Sequence, residues 1–285
     1  MTATFVAEVS SNHHRDLDRC FKFIDVSAEI GCHAVKFQLF KISELFAPEI
    51  LAKSAKHRAR QEWELPIEFI PPLAQRCREK NVKFSCTPFY LAAVTELQPY
   101  VDFYKIASYE LLWDELLIAC ARTGKPVVLS TGMATLDEIK RAVAVARAAG
   151  CRDLTVLHCV SGYPTPVAEC NLAAIDTLRA ALSCAIGWSD HSVNPGVIYR
   201  AVHHWDATMV EFHLDLDGAG EEFKTGHCWM PEQMGAVIKS LADGECSDGN
   251  GIKVPAPSEI ADRDWRADPS DGLRPMKHVR GWWQG

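Results

Sequence analysis

Polar side chains able to bind anions and metal ions recur along the chain, each at or just beyond the end of a short apolar run. In chain order they are Glu8, Lys36, Gln38, Thr87, Lys105, Ser108, Ser130, Thr131, His158, Ser161, Ser189, Asp190, His191, Glu211 and His213. Lysines and hydroxyls donate hydrogen bonds to phosphate and carboxylate oxygens. Imidazoles and carboxylates bind divalent ions such as Mn²⁺. The set therefore predicts a site for an anionic substrate and a metal ion, assembled from several strand ends.

Two lysines in these runs, Lys36 and Lys105, alternate with apolar neighbours, so both side chains should point into the interior of the fold. A lysine in that position pairs with an internal carboxylate, forms a Schiff base or binds an anion. The hydroxyls of Ser108, Ser130 and Ser189 favour anion binding, because several converging donors suit phosphate or carboxylate oxygens.

Two histidines, His191 and His213, end the seventh and eighth apolar runs. Each alone is most simply a hydrogen-bonded core histidine. As a pair on neighbouring strand ends, with Glu8 approaching from the first strand, they can hold a divalent ion such as Mn²⁺. We therefore expect a metal site with two imidazole ligands.

Eight short runs with strand character alternate with stretches of helical periodicity. The runs are Thr4–Val9, Ala34–Gln38, Val82–Thr87, Phe103–Ser108, Pro126–Thr131, Leu154–Val160, Ala185–Asp190 and Met209–Leu214. Eight such units predict a (β/α)8 TIM barrel, an α/β fold whose site lies at the carboxyl ends of the strands. No GxGxxG or GxxxxGK[ST] loop follows a strand, which disfavours a nucleotide-binding open sheet.

Two segments depart from this alternation. Lys41–Glu62 is long for a connection and is expected to pass over the barrel mouth. Residues 243–285 are rich in Gly, Pro and Asp and predict an irregular C-terminal tail or lid. The expected organisation is a catalytic barrel at residues 1–242 followed by that tail at residues 243–285.

Composition narrows the possible partners. The 285 residues are 48% hydrophobic and 24% charged with a net charge of −7, which excludes a disordered chain and argues against nucleic acid or an anionic membrane as partner. The 11 cysteines form no CxxC pair, so we expect reduced, mostly buried thiols. The amino terminus lacks the pattern of a signal peptide and no run is long enough to span a bilayer, so we expect a cytoplasmic protein.

Motifs at every strand end make the chain similar to the sialic acid synthase family, whose members condense phosphoenolpyruvate with an N-acyl sugar aldehyde such as N-acetylmannosamine. The similarity extends from about Phe5 to Leu241. It rests on the segments FVAEVSSNHH, AVKFQLFK, FSCTPF, YKIASYE, GKPVVLSTGMATLDEI, LHCVSGYPTP, IGWSDHS and VEFHLDLD.

The resemblance implies a TIM barrel, a divalent ion (Mn²⁺ or Mg²⁺), a homodimer, and phosphoenolpyruvate and an N-acyl hexosamine as substrates. It implies metal ligation by His191 and His213. The implied catalytic residues are Glu8, Lys36 and Tyr163. The implied substrate-binding residues are Gln38, Thr87, Lys105, Ser108, Ser130, Ser161 and Ser189.

Some positions depart from the family pattern. Ser161 stands where the family commonly has Asn, and four acidic residues after the eighth strand, Asp215, Asp217, Glu221 and Glu222, are open candidates to hold the sugar. The resemblance also implies a C-terminal antifreeze-like domain that supplies an arginine to the partner subunit, and the tail is expected to be too short to contain it. Arg263, Arg266 and Arg274 are the candidate replacements.

Two other functions remain open from the sequence. The chain could be another metal-dependent barrel lyase or aldolase that acts on sugar acids. It could instead be a non-catalytic relative that binds a sugar phosphate in polysaccharide biosynthesis.

Overall fold

The computed structural model of the protein describes residues 3–282 and contains a closed barrel of eight parallel strands. The strands are β1 (Thr4–Glu8), β2 (Ala34–Leu39), β3 (Lys83–Pro88), β4 (Phe103–Ile106), β5 (Val127–Ser130), β6 (Leu154–Cys159), β7 (Ala185–Asp190) and β8 (Met209–Leu214). Each strand pairs with its neighbour in sequence order, and β8 pairs with β1 to close the sheet. A two-residue strand β9 (Cys228–Trp229) pairs in parallel with the last two residues of β8.

The helices follow the strands as expected for a (β/α)8 barrel, which confirms the predicted fold class. They are α1 (Leu17–Glu29), α2 (Ile42–Leu45), α3 (Pro48–Lys53), α4 (Ala55–Ala59), α5 (Ile70–Glu79), α6 (Leu91–Leu97), α7 (Asp114–Arg122), α8 (Leu136–Ala148), α9 (Ala174–Ala181), α10 (Pro195–His203), α11 (Pro231–Ser247) and α12 (Lys277–Arg280). All eight predicted strands are present, with ends within two residues of the prediction.

Prolines set where two of the helices begin. Helix α5 begins at Ile70 and has Pro71 and Pro72 in its first turn, because prolines fit the first turn of a helix and not its interior. Helix α11 begins with Pro231 and continues to Ser247 through Gly244, although glycine has a low helix propensity.

The barrel interior is layered by the two-residue repeat of the strands. One layer is an apolar cluster of Val6, Ala34, Phe103, Val128 and Leu157. Two positions further along each of these strands, toward the carboxyl ends, stand Glu8, Lys36, Lys105, Ser130 and Cys159. The two-residue repeat that forms the apolar layer therefore also places these polar side chains at the carboxyl-terminal end of the barrel.

The larger core fills the space between the barrel and its helices. Local signals fix where those helices begin: the Asp16 side chain accepts hydrogen bonds at the start of α1, and Thr135 forms a capping box with Glu138 at the start of α8. Within the barrel wall, a Cβ at Gly187 of β7 would lie 2.4 Å from the carbonyl oxygen of Met209 in β8. Only glycine permits that approach of the two strands.

The segment between β2 and α5 forms three short helices, α2 to α4. The backbone nitrogen of Ile42 donates to Glu64 Oε1 at 2.6 Å, which ties the start of the segment to its end. The Arg60 guanidinium lies over Phe46 and Trp63, 5.7 and 5.3 Å from the ring centroids. This packing gives the segment a fixed path.

The chain divides into two compact units, one ending at Glu245 and the other beginning at Cys246. Within the second unit, Asp268 accepts hydrogen bonds from the backbone nitrogens of Ser270 and Lys277, and Arg280 pairs with Asp271. Its described residues after the end of α11 form the short helix α12 and two 3-10 helices, at Pro257–Glu259 and Arg263–Trp265, joined by irregular segments. Across residues 3–282, none of the helices combines the length and the apolar character needed to cross a membrane.

Candidate active site

A cavity of about 660 Å³ opens at the carboxyl ends of the strands, within the size range of small-molecule sites. The predicted site residues that line it are Lys36, Gln38, Lys105, Ser108, Ser130, Tyr163, Ser189, His191 and His213. The segment after β2 also contributes to its wall, through Phe46, Arg60 and Trp63. The other three predicted residues, Glu8, Thr87 and Ser161, are outside this lining.

One side of the cavity is built from ion pairs between β1, β2 and β3. Lys36 forms a direct ion pair with Glu8, and its ammonium donates to Thr87 Oγ1 at 3.2 Å. Gln38 Nε2 donates to the other carboxylate oxygen of Glu8 at 2.8 Å. Glu8 and Thr87 are buried, and both contact Lys36. Of this group, Lys36 and Gln38 line the cavity.

The same network extends to β4, β7 and β8 through Glu211. Its carboxylate lies 3.2 Å from Lys105 Nζ and 3.9 Å from Lys36 Nζ, and it accepts a hydrogen bond from Ser189 at 3.3 Å. Burial opposes charge on Lys36, but Glu211 and Glu8 outweigh it and raise the lysine pKa. For Lys105, burial outweighs Glu211 and lowers the pKa. Despite burial, the two lysines hold the pKa of Glu211 far below its ordinary value.

A group of hydroxyls adjoins Lys105. Ser108 Oγ accepts a hydrogen bond from the Gly132 backbone nitrogen at 2.9 Å. The Oγ atoms of Ser130 and Ser161 are buried and have no hydrogen-bond partner among the described residues. Unpaired buried hydroxyls are costly unless a ligand or water satisfies them, and of the two only Ser130 lines the cavity, where substrate oxygens can reach it.

The opposite side of the cavity is built from imidazoles. The ring centroids of His191 and His213 lie 5.2 Å apart, and the Tyr163 ring lies 4.3 Å from that of His191. His191 Nδ1 lies 2.8 Å from the carbonyl oxygen of Val160, and His213 Nδ1 lies 2.7 Å from Glu222 Oε2. In each ring these contacts leave Nε2 for another partner.

The residues present fit a divalent ion. Imidazole nitrogens bind such ions at about 2.1 Å, so two rings that share one ion have centroids about 5 Å apart. Burial lowers the pKa of His213, although Glu222 opposes the shift, and neutral imidazole is the form that binds metal. The carboxylate that meets the histidines is Glu222 rather than Glu8, which the sequence pattern placed beside them.

The loop after β8 accounts for the four acidic residues that the sequence left open. Asp215 and Asp217 both pair with Arg19, at 3.0 and 2.7 Å, so these carboxylates hold the loop against α1. Glu222 bonds His213. Glu221 also lines the cavity. Among the described residues, its ion pair is with the exposed Lys224, at 3.3 Å.

The sequence pattern missed Glu110. This residue lies in a short 3-10 turn directly after β4 and lines the cavity. Burial raises its pKa to about 7, although nearby Lys105 opposes the shift, and Oε2 has no hydrogen-bond partner among the residues described. A carboxyl group with that pKa can gain or lose a proton near neutral pH. Its position five residues after Lys105 is the signal that could have revealed it.

Fold and site together define a (β/α)8-barrel enzyme whose reactive groups lie at the strand carboxyl ends. The model of the NeuB family matches residues 23–253. The chain therefore belongs to the NeuB family, which confirms the resemblance drawn from the strand-end motifs.

Individual relatives agree with this assignment. The chain is 32% identical to the spore coat polysaccharide biosynthesis protein SpsE of Bacillus subtilis, over 90% of this chain and 71% of the relative. It is 31% identical to the N,N'-diacetyllegionaminic acid synthase of Campylobacter jejuni, over 89% of this chain and 80% of the relative. The crystal structure of a sialic acid synthetase from Leptospira borgpetersenii in complex with citrate superposes with a TM-score of 0.79 at 28% identity, covering 95% of this chain and 93% of that one.

Proposed function

We propose that this protein condenses phosphoenolpyruvate with an N-acyl sugar aldehyde, giving a sialic or other nonulosonic acid and inorganic phosphate. One observation carries the proposal: a single cavity has the buried lysines Lys36 and Lys105 on one side and the imidazoles of His191 and His213 on the other. The first side suits an anion and the second a metal ion that binds the aldehyde. Family membership supports the same reaction.

Phosphoenolpyruvate would lie on the lysine side. Lys105 and the unpaired hydroxyl of Ser130, which both line the cavity, offer donors to phosphate and carboxylate oxygens. Lys36 adds charge from the barrel floor. These groups would fix the methylene carbon of phosphoenolpyruvate toward the aldehyde and convert a bimolecular encounter into an oriented one.

His191 and His213 would hold the metal ion, for which we propose Mn²⁺ or Mg²⁺. When bound there, the ion supplies Lewis-acid polarisation of the aldehyde oxygen. Tyr163 packs on the His191 ring and closes that side of the cavity. The role of the protein on this side is to orient the imidazoles and to limit water around them.

Three protons move in the reaction, and we propose Glu110 as the carrier of the first two. In protonated form it would donate to the aldehyde oxygen as the carbon–carbon bond forms, leaving a cationic centre at the enol carbon. The resulting carboxylate would then take a proton from the water that attacks that centre. The tetrahedral intermediate would expel phosphate, which accepts the remaining hydroxyl proton as the ketone forms. The raised pKa of Glu110 suits both steps.

The resemblance gives Glu8 this catalytic role, whereas in the structure Glu8 contacts Lys36 and Gln38. We therefore propose Glu8 as a positioning residue. A general acid–base group contributes about 10²–10⁴ in rate. Glu110→Gln should lower kcat by about that factor and remove an ionisation near pH 7 from the kcat profile. Glu8→Gln should act mainly on the KM for phosphoenolpyruvate. The reverse pattern would return the proton-transfer role to Glu8.

The direct test of function is phosphate release from phosphoenolpyruvate with Mn²⁺ and a panel of N-acyl hexosamines. Release that depends on an N-acyl hexosamine supports the proposal, and the responding sugar names the product. Release only with other aldehydes would instead indicate a different barrel aldolase. Binding of phosphoenolpyruvate without release by any aldehyde would indicate a non-catalytic sugar-phosphate-binding relative.

We further propose that the protein is a cytoplasmic homodimer, as the family resemblance implies. Light scattering on the purified chain tests the oligomer against the monomer mass of 31.7 kDa. A monomer at micromolar concentration would contradict it.

A further inference from the structure

A third histidine, His227, faces the same cavity as His191 and His213. It is 4% exposed, and its Nε2 makes no hydrogen bond to the residues that the structure describes; its nearest polar contact there is Glu222 Oε2 at the long distance of 3.4 Å. Its ring centroid lies 4.7 Å from that of His213 and 6.0 Å from that of His191. A buried imidazole nitrogen with only this long contact is poorly satisfied, so the atom can accept a closer ligand.

The hydrogen bonds of Thr225 fix which nitrogen of His227 carries the proton. Thr225 Oγ1 lies 2.6 Å from His227 Nδ1 and also donates its own hydrogen to the carbonyl oxygen of Glu222 at 2.6 Å. The hydroxyl must therefore accept from His227, which places a proton on Nδ1 and, in the neutral ring, leaves the lone pair on Nε2. Glu222 Oε2 lies 3.4 Å from that Nε2.

All three histidines share this arrangement. In each, Nδ1 meets a protein acceptor: the carbonyl of Val160 for His191, the carboxylate of Glu222 for His213 and the hydroxyl of Thr225 for His227. Each ring is thereby set in the tautomer that offers Nε2. Metal-bound histidines are oriented by protein acceptors on the other ring nitrogen in this way.

Ligand atoms from His213, Glu222, His227 and Cys228 all lie within 4.8 Å of one another. The loop that carries Glu222 and His227 is fixed by packing. Asn12 Oδ1 accepts from the Glu222 backbone nitrogen at 2.9 Å, and a Cβ at Gly220 would lie 2.4 Å from that same oxygen. The side chains of Glu222 and His227 are therefore held near His213 by a loop that is already ordered, so metal binding would lose little conformational entropy there.

We propose that His227 is a third imidazole ligand of the metal ion, and that Glu222 is a positioning residue that holds His213. This inference rests on the proposed metal dependence and extends it from two imidazoles to three. A site with three neutral nitrogen ligands retains fewer water positions and binds borderline ions more tightly than a two-histidine site. Binding by His227 would also satisfy its buried Nε2.

The first experiment uses the unaltered protein loaded with Co²⁺ in the absence of substrates. X-ray absorption at the cobalt edge counts imidazoles through their multiple scattering. Three imidazoles support the inference, whereas two would overturn it and leave the proposed metal dependence intact. Failure of the protein to bind Co²⁺ or Mn²⁺ at all would overturn the proposed metal dependence as well.

The second experiment measures Mn²⁺ affinity from the EPR signal of the free ion. His227→Ala should weaken binding tenfold or more, and millimolar imidazole should restore part of it. Thr225→Val should have a smaller effect in the same direction. The control is His158→Gln, which alters a half-buried histidine that hydrogen-bonds the Cys170 carbonyl and does not line the cavity. Equal affinities for His227→Ala and the unaltered protein would contradict the inference.

Discussion

The two sides of the cavity satisfy their polar groups in opposite ways. On the lysine side, Glu8 and Glu211 pair with Lys36 and Lys105, so the buried charges compensate one another within the protein. On the imidazole side, the protein secures every Nδ1 and leaves nitrogen lone pairs directed at the cavity. The first side should therefore contribute to stability without a ligand, and the second should contribute only when an ion is bound.

The largest expected effect is a loss of stability from Lys36→Met, on the lysine side of the cavity. This change leaves Glu8 and part of Glu211 buried without compensation, which costs about 3–5 kcal/mol for a buried pair. Urea unfolding of the metal-free protein measures the loss. The equivalent truncation on the other side, His213→Ala, should cost less in the metal-free protein because the carboxylate that loses its partner, Glu222, still contacts Ser10 and His227.

The matched control for Lys36→Met is the double variant Glu8→Gln/Lys36→Met. Removal of both charges should recover most of the lost stability, because replacing a whole buried pair is often nearly neutral. If Lys36→Met alone lowers the unfolding free energy by less than about 1 kcal/mol, the Glu8–Lys36 ion pair does not stabilise the metal-free protein in the way proposed for the lysine side.

The next largest expected effect is the stabilisation of the folded protein by a metal ion bound on the imidazole side. An ion that binds only the folded state adds about 2.7 kcal/mol at a concentration one hundred times its Kd. Mn²⁺ should therefore raise the unfolding free energy of the unaltered protein by that amount, and leave His213→Ala unchanged at the same concentration. Thermal unfolding with and without EDTA measures both. Equal stabilisation of the two proteins would show that the ion binds elsewhere.

The lysine side was more predictable from the sequence than the imidazole side, for a physical reason. Strand alternation alone directs Lys36 and Lys105 inward, and the pairing of β7 with β8 alone brings His191 next to His213. Glu222 and His227 reach the cavity only because their loop folds back along β8. That path depends on long-range contacts that no local pattern encodes.

Those contacts are specific. Arg19 of α1 bonds Asp215 and Asp217, and Asn12 bonds the Leu214 carbonyl and the Glu222 nitrogen. In the structure, His227 directly precedes the short strand β9, whose Cys228 pairs with His213. This pairing brings His227 to the cavity. Glu110 was missed because a 3-10 turn, rather than a strand end, places it at the cavity.

The smallest expected effect is a pH dependence at the edge of the lysine side. Glu110 releases its proton near pH 4.5 in the unfolded chain and about pH 7 in the folded protein. Between these values the folded state binds more protons, so its stability should fall as pH rises and then level off above pH 7. Each pKa unit is worth about 1.4 kcal/mol, and solvent screening of this half-buried group reduces the total to about 1–2 kcal/mol.

Glu110→Gln isolates that contribution, because it removes the titration and retains the shape of the side chain. In EDTA, the variant should match the unaltered protein near pH 4.5 and exceed its stability by about 1–2 kcal/mol above pH 7. Urea unfolding across pH 4.5–8 measures the difference. A constant difference at all pH values would mean that the Glu110 carboxylate is hydrated in the folded state. Proton transfer in the proposed reaction would then need another carrier.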